Sequence, residues 1–396
     1  MLRIMAADAG REIAVLRRAA RTDADPSELR DLAAAGVDWP RLLEVAGVHG
    51  IKTLLWWALS QAGDGAVPPE AAGHLQDFFH RNAAHGLLMQ REAIRLLDLF
   101  GGHAISAIPY KGPILASSVY GNVALRTYDD LDIVVRPRDV DRALELLLDD
   151  GYTLVHTGDE RARDEAHRWN HTLRRADGRV TVELHWTFAP KSWRFLRDIE
   201  PLWSRLERWD VGGGVQVEGM SAEDLLTVLC VHGAKHWWVR LLWVADIAEL
   251  VRLRPAMDWD GLLDRARGEG ALRLTLIGLA LAEEVLDAPL PHVVRDEIRR
   301  DPRVRAVSAR LRESLLVAHP VEQSGRPASK LYRAMRERRR EQLAYLVYPN
   351  EEDLASVSLP AGLTGLYWAV RPVKLATKYV VEPVGRVARS LRSSRS

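Results

Sequence analysis

The chain has 396 residues, of which 47% are apolar and 28% charged, proportions typical of a soluble globular protein long enough for two or three domains. Its 55 basic and 54 acidic residues leave a net charge of +1, which gives no global electrostatic argument for binding nucleic acid. The single cysteine, Cys230, excludes an intrachain disulfide and a zinc site built on cysteines. Because it lies in a continuous apolar run, we expect a buried helical thiol.

The first residues of the chain include acids and lack the apolar segment of a signal peptide. No stretch approaches the roughly 18 consecutive apolar residues that a membrane-spanning helix needs. The sequence therefore predicts a cytoplasmic protein without a transmembrane segment.

Residues 27–100 carry apolar positions at helical spacing, and Pro68 and Pro69 are typical of the first turn of a new helix. Gly101 and Gly102 are predicted to end this helical region. The whole chain divides into four predicted parts: an N-terminal helical region at 1–100, a small core at 101–219, a C-terminal helical domain at 220–330, and a helical extension with a basic tail at 331–396.

The core at 101–219 is marked by short apolar runs bounded by turn residues, which predict strands. Asp177-Gly178 favours a tight hairpin turn between two of these runs. The predicted strands lie at 104–110, 126–135, 171–175, 179–186 and 215–217, with a helix at 114–120. We expect an α+β fold in which a mixed sheet has helices on one face and is flanked by N- and C-terminal helices.

Beyond the core the sequence predicts helices over 222–254 and 258–320, the first opened by a capping pair of Ser221 and Asp224. A linker is predicted at 321–330. The basic run Arg336–Arg340 is interpreted as the solvated face of a helix. The basic tail Arg371–Ser396 is also interpreted as solvated, with contact to an anionic membrane or nucleic acid as the alternative.

Two acidic residues, Asp130 and Asp132, stand two apart in the second predicted strand. Residues two apart on a strand point to one face of the sheet, so these carboxylates would lie side by side, with Asp129 facing the other way. Two close carboxylates raise each other's pKa unless a cation lies between them. A hard divalent ion, Mg²⁺ or Mn²⁺, would balance this charge. The alternative is a solvated strand end before a turn.

A third acid, Glu183, lies in the predicted strand 179–186 and points away from its apolar neighbours. It could complete a two-metal site, in which the ions lie about 3.5–4 Å apart. The alternative is an ion pair across the hairpin with Arg174 or Arg179. His185 follows on the same face and could line a pocket or donate a structural hydrogen bond.

Further motifs accompany these acids, and together they form a pattern: Lys111-Gly112, Arg126 with Asp130 and Asp132, Glu183-Leu184-His185-Trp186, His232-Gly233-Ala234-Lys235-His236-Trp237 and Trp243-Val244-Ala245-Asp246-Ile247. The pattern resembles a bacterial family of uncharacterised nucleotidyltransferases in the polymerase-β-like nucleotidyltransferase superfamily. Similar flanks extend the resemblance over roughly 35–380: Asp38-Trp39, Val67-Pro68, Leu359-Pro360, Tyr367 and Arg371-Pro372.

The resemblance implies that a nucleoside monophosphate is moved from a nucleoside triphosphate, with ATP as the expected donor, to an acceptor. Asp130, Asp132 and Glu183 would be the catalytic residues and would bind two Mg²⁺ or Mn²⁺ ions. In-line attack of an acceptor hydroxyl on the α-phosphate would release pyrophosphate. A small molecule or a protein is expected as the acceptor, because no basic stripe with interleaved aromatic residues predicts a groove for nucleic acid.

One departure concerns the turn that would hold the phosphates. The superfamily usually has Gly-Ser at this step, whereas this chain has Lys111-Gly112-Pro113 and no hydroxyl. Lys111 could bind the nucleotide together with Gly112 by acting as a point charge, and the alternative is a surface charge. Arg126 could contact the nucleotide or pair with Asp129.

His232 and His236 are spaced i, i+4 and share one helix face. With His185 they could line the acceptor pocket, or they could be core residues. A zinc site completed by Asp246 is a third interpretation, although Gly233 stands where a His-Glu-x-x-His motif has its glutamate.

Two other classes of function compete with nucleotidyl transfer. The missing hydroxyl would suit a catalytically weak binding or regulatory module of the same fold, acting with a partner protein. A metal hydrolase centred on His232, His236 and Asp246 would contain zinc instead.

Overall fold

The structure, a computed structural model, describes residues 2–63, 65–155, 169–189, 198–315, 329–339 and 366–377. A mixed sheet lies between two helical regions, which confirms the predicted α+β class. The N-terminal region consists of helices α1 (Leu2–Ala19), α2 (Pro26–Ala34), α3 (Trp39–Val48), α4 (Lys52–Ser60) and α5 (Pro69–Gly102). The last of these begins at its proline and ends at its glycine pair, as predicted.

Five strands form the sheet in the order β1-β2-β5-β4-β3. Their bounds are β1 (Ala107–Pro109), β2 (Leu131–Val135), β3 (Tyr152–Leu154), β4 (Asn170–Arg175) and β5 (Thr181–His185), and helices α6 (Gly112–Tyr120) and α7 (Val140–Asp149) lie between them. Strand β2 is parallel to β5, and the other pairs are antiparallel. A separate ribbon joins β6 (Glu207–Asp210) to β7 (Gln216–Gly219). The hairpin and the strand at 215–217 were predicted, whereas β3 and β6 were not.

The two faces of the sheet differ in polarity because side chains alternate along each strand. Leu131 and Ile133 of β2 lie level with Val182 and Leu184 of β5, and all four are buried. The residues between them form the other face, where Asp132 lies level with Glu183 and Val134 with His185. Helices α5, α6 and α7 pack against the sheet. The alternation therefore fixes which side chains share the polar face.

The C-terminal region is helical over 222–254 and 258–315, close to the prediction. Its helices are α8 (Ala222–Lys235), α9 (Leu241–Leu253), α10 (Trp259–Glu269), α11 (Leu272–Leu286), α12 (His292–Arg300), α13 (Pro302–Leu315), α14 (Ser329–Ala334) and α15 (Tyr367–Ala376). The Asp224 N–H donates to Ser221 Oγ at 3.2 Å, which confirms the predicted cap. Helix α11 packs against α8, α9 and α13 and is buried nearly all round, as its apolar sequence requires. Cys230 is a buried free thiol of α8.

The strand predicted at 126–135 begins only at Leu131, so Asp130 lies just before it. The preceding residues are held as a loop by side chains of the N-terminal helices. Asn82 Nδ2 donates to the carbonyl oxygens of Ala124 at 2.9 Å and Arg126 at 3.1 Å. Thr53 Oγ1 donates to the carbonyl of Leu125 at 2.6 Å. The bond to Arg126 uses the first carbonyl of the predicted strand, which a strand would offer to its neighbour, and this explains why the strand was predicted too long.

The interpretation of Arg336–Arg340 as a solvated helix face is wrong at Arg336. Helix α14 ends at Ala334, and Arg336 is only 3% exposed. Its carbonyl accepts a hydrogen bond from the Arg273 guanidinium. Residues 321–328 of the predicted linker, the motif Leu359-Pro360 and most of the basic tail lie outside the described residues, and the last two linker residues belong to α14. None of the described helices is both long and apolar enough to cross a membrane.

A tight turn after α8 places two consecutive tryptophans in the left-handed region, Trp237 at φ 59° and Trp238 at φ 44°. Such conformations cost on the order of 1–3 kcal/mol each in bulky residues. The Trp238 indole is buried against the backbone of Gly233, where an added Cβ would meet Trp238 Nε1 at 2.2 Å. The missing side chain at Gly233 therefore makes this turn possible.

We expect Gly233→Ala to lower the free energy of unfolding by about 1–3 kcal/mol, because the new methyl group must displace the Trp238 indole. Gly73→Ala is the matched control, since Gly73 is also helical and nothing lies within 4 Å of an added Cβ there. That control should raise stability by about 0.5–1 kcal/mol. Urea denaturation measures both, and equal effects of the two substitutions would contradict the packing argument.

Candidate functional site

The centre of the site is a group of three side chains on the polar face of the sheet. Nε2 of His185 lies 3.0 Å from Asp132 Oδ1 and 3.1 Å from Glu183 Oε2. One ligand atom from each residue lies within 4.8 Å of the other two. Asp132 and His185 are buried, whereas the Glu183 side chain is 29% exposed. The two carboxylates and the imidazole therefore fit a divalent cation that can be reached from solvent.

The predicted alternative for Glu183, an ion pair across the hairpin, is wrong. Its neighbour on β4 is Thr172, and Arg174 lies level with Thr181 instead. Glu183 pairs with His185, and within the described residues no ion pair joins it to Arg174 or Arg179. His185 is buried, and its Nε2 contacts Asp132 Oδ1 of the site itself.

Lys111 is part of this group. The alternative interpretation, that Lys111 is a surface charge, is wrong. Its side chain is buried, and Nζ lies 3.0 Å from Asp132 Oδ1 and 3.4 Å from His232 Nδ1. Lys111 directly precedes α6, which begins at Gly112 with φ 60°. A Cβ at Gly112 would lie 3.2 Å from the carbonyl oxygen of Asp130, so only glycine lets this turn pack on the acidic loop without displacement.

The pKa values of the two aspartates at the site are shifted in opposite directions. Burial raises the pKa of Asp132, but the Lys111 ammonium and the His185 hydrogen bond outweigh burial and hold that pKa well below its usual range. Burial, followed by the charge of Asp132, raises the pKa of Asp130 to about 7. The predicted repulsion between the two aspartates is therefore present. Asp130 nevertheless lies outside the compact group that Asp132 forms with Glu183 and His185.

Arg126 pairs with Asp246. The predicted alternative, a pair with Asp129, is wrong. Arg126 Nε lies 2.8 Å from Asp246 Oδ1 and Nη2 lies 2.8 Å from Oδ2, a bidentate pair. The Tyr120 hydroxyl donates to Asp246 Oδ1 at 2.7 Å, and all three side chains are buried. The guanidinium thus fastens the loop before Asp130 to α9, and Tyr120 fastens the end of α6 to the same carboxylate.

The zinc interpretation of His232, His236 and Asp246 is not supported by this geometry. Both Asp246 oxygens already accept hydrogen bonds from Arg126. In the described part of the chain, the group formed by Asp132, Glu183 and His185 is the one whose ligand atoms come close enough for a metal ion.

His232 of α8 and His236, which directly follows this helix, instead form a ring cluster with Trp243 of α9, beside Lys111. The His232 and His236 ring centroids are 4.8 Å apart, and those of His236 and Trp243 are 5.0 Å apart. His232 meets Trp243 edge-on at 5.5 Å. The structure therefore brings most of the predicted site residues together around Asp132. The pairing of Arg126 with Asp246 was not predicted, because the two residues are 120 positions apart and no local pattern links them.

Comparison with known protein families now gives the class of the protein. The model of the family described as uncharacterised nucleotidyltransferases matches residues 35–287, which is more than half of the chain and includes every site residue described above. The chain belongs to this family. No curated protein matches it significantly.

We expect Arg126→Met and Asp246→Leu each to lower the free energy of unfolding by about 3–5 kcal/mol, because each leaves a buried charge without its partner. The double variant should lose clearly less than the sum of the two, since no lone charge remains. Urea denaturation of the four proteins measures the coupling. Additive losses would show that the buried pair does not act as a unit.

Proposed function

We propose that this protein transfers a nucleoside monophosphate from a nucleoside triphosphate to a hydroxyl group of a small molecule or a protein. The observation that carries the proposal is the level pairing of Asp132 with Glu183 on parallel strands, beside the ammonium of Lys111. A cation-binding pair of acids next to a buried positive charge is suited to a polyphosphate ligand. Membership of the nucleotidyltransferase family supports the same reading.

Asp132 and Glu183 would hold a divalent ion, Mg²⁺ or Mn²⁺, and Asp130 would join them when a second ion binds. Bound ions of this kind neutralise phosphate charge and favour ionisation of an attacking hydroxyl. Nε2 of His185 lies within 3.1 Å of an oxygen of both Asp132 and Glu183, so its ring would position the carboxylates on the polar face. Arg126 is committed to Asp246, and we assign it a positioning role instead of the predicted nucleotide contact.

The reaction is an in-line displacement at the α-phosphorus. The acceptor oxygen forms a bond to that phosphorus, while the bond from phosphorus to the oxygen bridging the β-phosphate breaks. The leaving pyrophosphate keeps the bonding electron pair, and the hydroxyl proton passes to water. Lys111 and Gly112 stand at the start of α6, where the ammonium and the N–H groups of Gly112 and Ile114 can donate to phosphate oxygens.

Metal-dependent nucleotide binding is the first test. In a thermal-shift screen with ATP, GTP, CTP and UTP, with and without Mn²⁺, one nucleotide should stabilise the wild type by about 2.7 kcal/mol at a hundredfold excess over Kd. Asp132→Asn and Glu183→Gln should abolish this shift. Asp129→Asn is the matched control, because Asp129 is exposed and adjacent to the site, and it should keep the shift.

Transfer itself is tested by incubating the protein with the stabilising nucleotide, labelled at the α-phosphate, and with a cell extract as the source of acceptors. Label should pass into a small-molecule or protein fraction, with release of pyrophosphate, and Asp132→Asn should prevent both. Nucleotide binding without any transfer would favour the competing function, a catalytically weak module that acts with a partner protein. The Lys111-Gly112-Pro113 turn, which lacks a hydroxyl, would then be the structural reason.

Lys111 competes with a cation for Asp132, so its removal should have opposite effects on two ligands. Without nucleotide, Lys111→Met should bind Mn²⁺ at least about tenfold more tightly than the wild type, or roughly 1.4 kcal/mol. With Mn²⁺ present it should bind the nucleotide more weakly, because a phosphate contact is lost. Lys111→Arg keeps the charge and is the control. Isothermal titration measures both affinities, and an unchanged Mn²⁺ affinity in Lys111→Met would contradict the competition.

A further inference from the structure

The ring cluster of His232, His236 and Trp243 ends at the surface beside the candidate site. A short series of contacts leads to it from the metal-binding carboxylate: Asp132 to Lys111 at 3.0 Å, Lys111 to His232 at 3.4 Å, and the His232 ring to the His236 ring at 4.8 Å. His236 is exposed, whereas Trp243 and His232 are half-buried. The cluster therefore presents a ring to solvent close to the place proposed for the phosphates.

The exposure of His236 is produced by a costly local structure. Helix α8 ends at Lys235, and the left-handed residues Trp237 and Trp238 turn the chain back directly after His236. Trp238 is buried against Gly233, so the turn is fixed from below. Simple packing of two helices needs neither this strained turn nor an exposed ring. Backbone strain of this kind is found preferentially where a ligand is held.

The electrostatic surroundings of His236 suit the aromatic end of an anionic ligand. Three cationic side chains act on the His236 ring, those of Lys235, Lys111 and Arg240, and they favour an anionic ligand beside it. The Arg240 guanidinium lies over the Trp243 ring, 5.6 Å from its centroid. The charge of Asp132 also acts on His236, which places the ring within electrostatic reach of the candidate metal site.

We infer that His236 and Trp243 form the platform on which the base of the donor nucleotide stacks, while its phosphates lie toward Lys111. The inference rests on the proposed function and adds to it a binding site for a planar heteroaromatic ring. Stacking on aromatic side chains tolerates any base, because every base has a π-face. The platform would therefore bind all four nucleotides, and hydrogen bonds elsewhere would decide between them.

The test compares two probes that share their phosphates and differ in the base, ATP and inorganic tripolyphosphate, each titrated in the presence of Mn²⁺. His236→Ala should weaken ATP binding by about 10-fold to 100-fold, the range expected for loss of one stacking contact. Binding of tripolyphosphate should stay within about twofold of the wild type. His236→Phe keeps a planar ring and should retain most of the affinity for ATP.

Val239→Ala is the matched control, because Val239 is exposed on the same turn and carries no ring. It should bind both probes like the wild type. Trp243→Leu gives a second measurement in the same direction, and circular dichroism confirms that each variant is folded. If His236→Ala leaves ATP binding unchanged, or weakens both probes equally, the platform is overturned while the proposed function stands. If the wild type binds neither probe, both proposals are overturned.

Discussion

The buried ion pair between Arg126 and Asp246 is the interaction on which the rest of the site depends. It joins the loop before the acidic strand to a helix of the C-terminal region, and Tyr120 brings the end of α6 to the same carboxylate. Taking two charges out of water is costly, and a well-packed apolar pair of similar size is often at least as stable. The pair is therefore better explained by its role in positioning the loop against the helix than by a gain in stability. A bidentate contact fixes the direction in which the two side chains approach as well as the distance between them.

The Asp132 carboxylate is kept ionised by other side chains of the same protein. The Lys111 ammonium and the His185 imidazole both approach Asp132 Oδ1, so the carboxylate is ready for a cation without a change of protonation. The same arrangement limits the binding of a metal ion, because a cation and the Lys111 ammonium cannot both occupy the same side of Asp132. Under the proposed function, displacement of Lys111 would free its charge for a phosphate and would link binding of the metal to binding of the nucleotide.

The parts of this architecture that the sequence predicted are those governed by local rules. Alternation placed Glu183 and His185 on one face, the Asp177-Gly178 turn predicted the hairpin, and Ser221 predicted a helix cap that the structure confirms. The errors come from partners distant in sequence. Asn82 holds the start of a predicted strand as a loop, and Asp246 takes the Arg126 guanidinium, for which a nucleotide and Asp129 were the two predicted partners. No periodicity or propensity encodes contacts between residues that meet only after folding.

The turn at Lys111-Gly112-Pro113 can be understood from these long-range contacts. A Gly-Ser step would add a hydroxyl to the donors at the start of a helix, and Pro113 instead removes an N–H. The loss is offset by Lys111, whose ammonium stands at that helix start and is kept there by Asp132 and His232. A full positive charge interacts with a phosphate more strongly than a neutral hydroxyl does, but it also pairs with the acids when no ligand is bound. Under the proposed function, the turn would therefore replace a permanent weak donor with a strong one, and the availability of that donor would depend on what else Asp132 binds.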